Sequence, residues 1–455
     1  MRAIQLTLEP FELMSILEWT CTKEMGEHGV LRVKGLISEE NRLRYYRHPS
    51  TDQWVCGKAI DENDEEIVLF NGVITHLIIH SEHELHTMEV EIKTGTFLLD
   101  QSLRTRAFQD VSETYESVLT TCLKPANGEM ILHHQEDAAI GHFLLQYRQT
   151  DWAFSKRLAN RLGLPIFPEF RTEGKRFHIG LINQRPAGEL VASHFTFSRS
   201  STTHSSTTIQ GSYHVGIRDI YELGQPVIFN GKRLIIGKIE SQLRGGELWH
   251  DYTLFTTLPT TEPHHLPLPL TGLSLSATVT KVRKDAVQVQ IHGIENQEKE
   301  IANRIWFDYA TVYSTPDGQG WYALPDEGVE VRLIFPEANE GRAYVASSVH
   351  LSTTGGRTNP DHKSFKNKQN MEILMTPDGI LLRDNQGELV ELSRLTGITV
   401  NSNHAIDIRS GKQIRINSDS AINLSAADQV SIQQKSSRIH MKDDIDISGG
   451  KINMN

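Results

Sequence analysis

From Val390 onward, apolar residues come in pairs split by one other residue, and each pair begins eight residues after the last. The pairs are Val390 and Leu392, Ile398 and Val400, Ile406 and Ile408, Ile414 and Ile416, Ile422 and Leu424, and Val430 and Ile432. Polar runs such as Asn-Ser-Asn and Arg-Ser-Gly-Lys-Gln fill the intervals. The spacing then loosens, with pairs at Ile439 and Met441, Ile445 and Ile447, and Ile452 and Met454. A helix places i and i+2 on different faces, whereas a strand places them on one. Each unit therefore reads as a short strand with two inward aliphatics and a polar corner. One such strand buries too little to be stable, but strands stacked about 4.8 Å apart join the pairs into a continuous apolar seam. A single-chain β-helix needs coils of about 20 residues, and eight residues cover one side of a prism. Three chains winding together is the economical solution, and it also removes free strand edges. At about 4.8 Å per strand the pairs predict a shaft on the order of 40 Å long.

The rest of the chain has a different composition. All six Trp, eleven Tyr and sixteen Phe lie at or before Phe365, so the tail lacks the material of an ordinary core. A length of 455 residues predicts about three domains. The net charge of −11 excludes a chain-wide basic footprint for nucleic acid or anionic lipid. Met1 to Pro10 alternates apolar and polar residues with no basic region before an apolar core, and no run of about 18 apolar residues occurs. The expectation is synthesis in the cytoplasm without a signal peptide. Cys21, Cys56 and Cys122 are odd in number and lack metal spacing, which reads as reduced, partly buried thiols.

Before the tail the pattern is mainly β. Short apolar or alternating runs include Ile67 to Phe70, Val73 to Ile79, Met88 to Ile92, Val227 to Phe229 and Leu234 to Ile239, with Asn71-Gly72 and Asn230-Gly231 as hairpin turn dipeptides. Helical spacing predicts a helix from Asp110 to Leu123, capped by Asp110 with Glu113 as its partner. A second is predicted from Thr150 to Leu162, with Thr150 as the cap and Gly163 as the stop. The segment 256–271 carries four of the chain's sixteen prolines and reads as an extended connector. Residues 272–351 hold several short strands suited to a small barrel. A polar linker spans 352–372, and the repeat region is 373–455. Residues 1–255 then form a β-rich part with a helical insert at about 105–165.

An octad shaft after a small barrel and a β-rich first half resembles the spike proteins of contractile tails, the VgrG family of type VI secretion and the late control, or hub-and-spike, proteins of phage baseplates. Gln146-Tyr147-Arg148-Gln149-Thr150-Asp151-Trp152, followed by Arg157-Leu158-Ala159 and Leu162-Gly163-Leu164, looks like that family's hub signature. Arg106-Ala107-Phe108-Gln109-Asp110-Val111-Ser112 also follows its pattern. In the barrel, Gly320-Trp321, Pro325, Gly328-Val329-Glu330-Val331, Phe335 and Gly341-Arg342-Ala343-Tyr344-Val345 match the order of its oligonucleotide-binding-like (OB) domain. The resemblance implies a fold of barrel-like hub subdomains with a helical insert, an OB-like barrel and an intertwined trimeric β-helix. It implies a homotrimer that plugs a tail tube, with tube or hub-adaptor proteins and baseplate proteins as neighbours. The shaft would pierce a target cell envelope, bare or beneath a PAAR-like tip protein. The particle itself would be a phage tail, a bacteriocin or a type VI-like device.

Other chemistry is poorly supported. Family members with a lysozyme or effector carry an extra domain, and this chain has only the linker and a bare end at Asn455. The alternative reading, a β-helix tail-fibre enzyme degrading surface polysaccharide, is disfavoured by a shaft without aromatics. His76, His80, His83 and His86 approach a zincin motif, but His83-Glu84-Leu85-His86 has the wrong spacing and reads as a solvated hairpin end. Asp61, Glu62, Asp64, Glu65 and Glu66 read as a loop, and His133-His134 and His264-His265 as surface or linker histidines. No cofactor is expected. The axial metal candidate at the tip is His440, which the strand pattern points outward. The barrel's seven Lys plus Arg against eleven Asp plus Glu argue against nucleic acid.

Overall fold

A computed structural model describes residues 3–47, 53–61, 65–133, 138–182, 185–201, 209–258, 270–296, 301–348 and 359–451. The chain is mainly β and divides into two compact units, Met1–His350 and Leu351–Asn455.

The first unit begins with β1 (Ala3–Glu9), β2 (Ser15–Glu24), β3 (Val30–Leu36), helix α1 (Glu39–Arg47), β4 (Trp54–Asp61), β5 (Glu66–Glu82) and β6 (Leu85–Lys93). Alternation sets the faces: Trp19 and Cys21 on β2, Leu31 and Val33 on β3, and Met88, Val90 and Ile92 on β6 all point into one core. The 17-residue β5 serves two neighbours, pairing first with β4 and, beyond Val73, with β6. Asn71-Gly72 is therefore not a turn, contrary to its dipeptide signal. A Cβ at Gly72 would stand 2.2 Å from the Lys93 carbonyl oxygen, so glycine here permits close strand approach. The Asn71 backbone N–H donates to the Phe170 carbonyl at 2.7 Å, and its side chain donates to the Arg171 carbonyl, which holds the dipeptide extended. Helix α1 carries no strong sequence signal. Tyr45 anchors it edge-on against Phe11 and accepts from the Glu12 N–H at 2.7 Å.

The helical insert contains β7 (Arg104–Phe108), α2 (Tyr115–Leu123), β8 (Gly128–Leu132), β9 (Leu144–Gln149), α3 (Asp151–Arg161), β10 (Ile166–Pro168) and β11 (Lys175–Ile179). Val118, Leu119, Cys122, Phe154, Leu158 and Phe177 form its core. Helix α3 starts where the sequence places it, with the Thr150 hydroxyl accepting from the Ala153 N–H and Gly163 left-handed at φ +67°. Helix α2 starts later than expected. Its cap is Thr114, which accepts from the Ser117 N–H, because Asp110 is engaged elsewhere. The Asp110 carboxylate binds Ser112, while its backbone bridges Arg304 and Val111 donates to Asn303.

Strands β12 (Phe195–Ser201), β13 (Ile209–Ile217), β14 (Pro226–Phe229), β15 (Lys232–Arg244) and β16 (Glu247–Phe255) complete an antiparallel sheet ordered β1-β4-β5-β6-β3-β2-β15-β16-β13-β12, with β14 on β15. Its two halves join where β2 pairs with β15. Asn230-Gly231 does form a hairpin turn, with φ of 50° and 71°. The small barrel follows as β17 (Ser274–Arg283), β18 (Ala286–Ile291), β19 (Phe307–Asp308), β20 (Glu330–Ile334) and β21 (Tyr344–Ala346), ordered β19-β18-β17-β20-β21. The parallel bridge of Tyr309 with Val345 brings its ends together. The insert's Ala107, Phe143 and Leu145 sit in this barrel's core beside Val287, Val331 and Phe335.

The second unit holds an antiparallel meander of β22 (Lys363–Lys366), β23 (Glu372–Thr376), β24 (Gly379–Arg383), β25 (Leu389–Ser393) and β26 (Gly397–Asn401). A second meander comprises β27 (Val430–Gln434), β28 (Ser437–Met441) and β29 (Ile445–Ser448), and no residue from 402 to 429 belongs to a strand. Among the described residues no helix is long and apolar enough to cross a membrane.

Candidate functional site

The hub-signature residues fall at the junction of the insert with its neighbours. Gln146, at the inner end of β9, accepts from Arg106 Nη1 at 3.0 Å and donates to Asp151 Oδ1 at 2.9 Å and the Gln149 carbonyl at 3.0 Å. Arg106 Nη1 also lies 2.6 Å from Asp151 Oδ1, and all three side chains are buried. The carboxylate at the first position of α3 thus offsets a buried guanidinium, while the amide orients both. Tyr147 packs half-buried on the barrel core, and Arg148 turns the chain at φ 45° with its side chain exposed. Trp152 is buried between the His28 ring, 5.2 Å away, and the edge of Phe177 at 5.5 Å. His28 in turn bonds Thr96 at 2.9 Å and Asp100 at 3.2 Å, and Asp100 accepts from the cap residue Thr150. His28 first, and Thr150 with it, hold the Asp100 carboxyl below its usual range despite partial burial.

Further along α3, Arg157 and Arg161 share one carboxylate of the barrel. Glu340 is fully buried, with Oε1 2.6 Å from Arg157 Nη1 and Oε2 2.7 Å from Arg161 Nη2. Arg157 also donates to the Leu145 carbonyl at 2.7 Å, and Arg161 donates to His142 Nε2 at 2.8 Å. Burial alone would raise the Glu340 pKa, but Arg157 and Arg161 outweigh it and the carboxyl is held low. On the other side of this seam, Asn296 bonds both the N–H and the carbonyl of Ala107 at 2.9 Å, and Glu295 accepts from the Thr105 N–H at 3.0 Å. The geometry does mechanical work: it fixes helix α3, the rest of the insert and the small barrel to one another.

The repeat residues make a second surface. Cross-strand register aligns Phe365, Ile373, Leu382, Val390 and Val400 in one row of the first meander, and Met375, Ile380, Leu392 and Ile398 in the next. These apolar side chains share one face of the meander, with Leu392 at 45 % and Ile398 at 75 % exposure in the single chain. Ile406, Ile408, Ile414, Ile416, Ile422 and Leu424 follow in the strandless segment and are likewise exposed. In the second meander Ile432, Ile439 and Ile447 form one row and Val430, Met441 and Ile445 the other. Ile452 and Met454 lie outside the described residues. The pairs Ile373 with Met375 and Ile380 with Leu382 extend the surface upstream, where the eight-residue spacing does not hold.

The remaining candidates resolve individually. His440 lies in register with Ser431 and Asp446, on the side of the strand away from Ile439 and Met441. His83 sits in the β5–β6 turn at φ 55°, and buried His86 bonds Ser81 at 2.7 Å and Glu39 at 2.7 Å. His133 is no isolated surface histidine. Its ring stacks on His178, with Nε2 2.9 Å from His178 Nδ1, and His178 reaches Glu169 at 2.9 Å. Burial opposes ionisation of Glu169, but His178 and the N–H groups of Arg171 and Phe170 bring its pKa down to about 2. His134, His264, His265, Glu62 and Asp64 lie outside the described residues. Asp61 ends β4, while Glu66 opens β5 and pairs with Lys58. Cys21 and Cys122 are buried free thiols and Cys56 is half-buried.

Comparison with known proteins places this architecture. No protein-family profile matches the sequence, and no curated protein is similar to it. Among solved structures, the Escherichia coli c3393 protein, described as a type VI secretion component similar in structure to the T4 bacteriophage tail proteins gp27 and gp5, matches with a TM-score of 0.53. That match has 14 % identity and covers 76 % of this chain and 100 % of the other. The Francisella PdpA-VgrG complex in its half-lidded form matches with a TM-score of 0.56 at 8 % identity, over 88 % of each chain. The fold is the one that these VgrG-like and phage-tail-like structures share.

Proposed function

We propose that this chain is the central hub and spike of a contractile injection particle: a homotrimer that plugs the tail tube, docks on tube, adaptor and baseplate proteins, and is driven through a target envelope. Its role is mechanical, without catalysis or cofactor. The observation that carries this reading is the exposed apolar seam of the second unit. Each of its side chains, on burial, contributes about 1.5–3 kcal/mol, and only other copies offer a matching surface at the same height. The strandless segment 402–429 supports it too, since its backbone groups find strand partners only by winding with other chains. Among the described residues of the first unit, β12 pairs only with β13, and β5 beyond Val73 pairs only with β6. These free edges suit joining of copies into a ring. The face of that sheet opposite its core carries cross-strand charge rows, with Lys34 2.5 Å from Glu89 and Arg32 2.8 Å from Glu91, a polar wall fit to line a lumen. Electron microscopy of the purified chain tests the reading. Class averages with threefold symmetry are expected, and particles of single-chain size without symmetry would contradict it.

A further inference from the structure

The joint between helix α3 and the small barrel holds more positive than negative charge, and its balance turns on one histidine. Two guanidiniums, Arg157 and Arg161, face the single carboxylate of Glu340. His142 lies against them from the chain leading into β9. Its Nε2 accepts a hydrogen bond from Arg161 Nη1 at 2.8 Å, so this nitrogen bears no proton, and the ring's other N–H donates to the Ile140 carbonyl. Both nitrogens are thereby committed to one neutral tautomer. The charged and titratable groups around it are Arg157 and Arg161 of α3, Glu340 of the barrel's turn, and the Tyr115 phenol of α2, which feels the same three charges. Burial first, and Arg161 second, disfavour a charged His142.

We propose that this joint is acid-labile: a proton taken up from solvent at His142 Nε2 turns Arg161 away from Glu340 and loosens the barrel's turn Glu340–Arg342 from α3. The proton occupies the lone pair that accepted from Arg161, so two N–H donors then face each other and two cations sit side by side. An opened joint exposes His142, which then titrates near its ordinary value of 6.5. Because the closed joint binds the proton less readily, acid favours the open form, beginning below that value and growing as pH falls through the lowered one. Arg157 is then the one remaining tie between Glu340 and α3 among the contacts described, and the Asn296 seam is untouched, so the change is a loosening confined to this turn.

Hydrogen exchange of the full chain, compared with His142→Gln at the same pH, tests the proposal. A glutamine oxygen accepts from Arg161 as the imidazole does and does not titrate. The reporting amides are those of Arg342 and Ala343, which donate to Asn339 and Glu340 at 3.1 and 3.2 Å. At pH 7.5 the two proteins should exchange alike there, and at pH 5.0 the parent should exchange about tenfold faster. Glu340→Gln should exchange fast at both values. Equal exchange of parent and His142→Gln at pH 5.0, a gap already present at pH 7.5, or protection retained in Glu340→Gln would each overturn the proposal.

Discussion

Glu340 is the carboxylate whose loss should be felt most. Glu340→Gln leaves Arg157 and Arg161 against a neutral amide in a dry joint, and breaking a buried pair costs about 3–5 kcal/mol. Chemical denaturation should record a loss of that order, against a change within about 0.5 kcal/mol for an exposed pair such as Arg409 with Asp407. Asp151→Ala, which strands Arg106, should behave like Glu340→Gln. Acid should act through Glu169 and His250 as well. Glu169 has a folded pKa near 2, below its ordinary 4.5, so its contribution is complete above 4.5 and fades as pH falls toward 2. His250, lowered to about 4 by burial first and then by Lys23, leaves stability unchanged above 6.5 and lowers it progressively as pH falls from 6.5 toward 4. Thermal melts between pH 7 and 4 should therefore show falling stability, and His250→Gln should flatten part of that slope. Only some of this site was legible in the sequence. Thr150, Asp151 and Trp152 stand together as a cap and a motif, whereas Glu340 lies 183 residues from Arg157 and nothing local marks it as the partner. A buried ion pair between distant segments leaves no periodic trace.

The elements show which local rules prevailed. The Thr150 cap and the Gly163 stop emerged as expected because nothing competes for them. Thr150→Ala should cost about 1 kcal/mol in a denaturation experiment, since it removes the Ala153 N–H acceptor. At Asn71-Gly72 the turn signal lost to tertiary contacts, because the strand is pinned on one edge by β4 and by Phe170, and on the other by β6. Gly72→Ala drives a methyl into the Lys93 carbonyl, and the expected outcome is misregistered β5–β6 pairing with markedly reduced soluble yield. The octads were legible because period-2 pairs repeat on a fixed interval. The pairs at Ile373 and Ile380 fall outside the octad series because the longer loop between β24 and β25 breaks that interval. Helix α1 was illegible for another reason: its mostly polar and charged surface gives no apolar stripe, and among its described side chains Tyr45 and Asn41 are the buried ones.

At the scale of the whole molecule, the two units differ in what stabilises them. Among the described residues, the first unit buries three aromatic and aliphatic cores of its own, whereas the second exposes most of its large aliphatics when taken as one chain. In the proposed trimer, the absence of aromatics after Phe365 fits a thin seam shared between chains and filled by Ile, Leu, Val and Met. A charge placed in that seam has no route to water once chains close around it. Ile414→Asp should therefore dissociate the assembly while leaving the first unit folded, which circular dichroism beside size-exclusion chromatography would show. The proposed spike needs three chains sharing the seam, and sedimentation equilibrium of the 455-residue chain tests that most directly. A mass close to three times 51.4 kDa, independent of loading concentration, is the predicted result. A stable species at 51.4 kDa would contradict it.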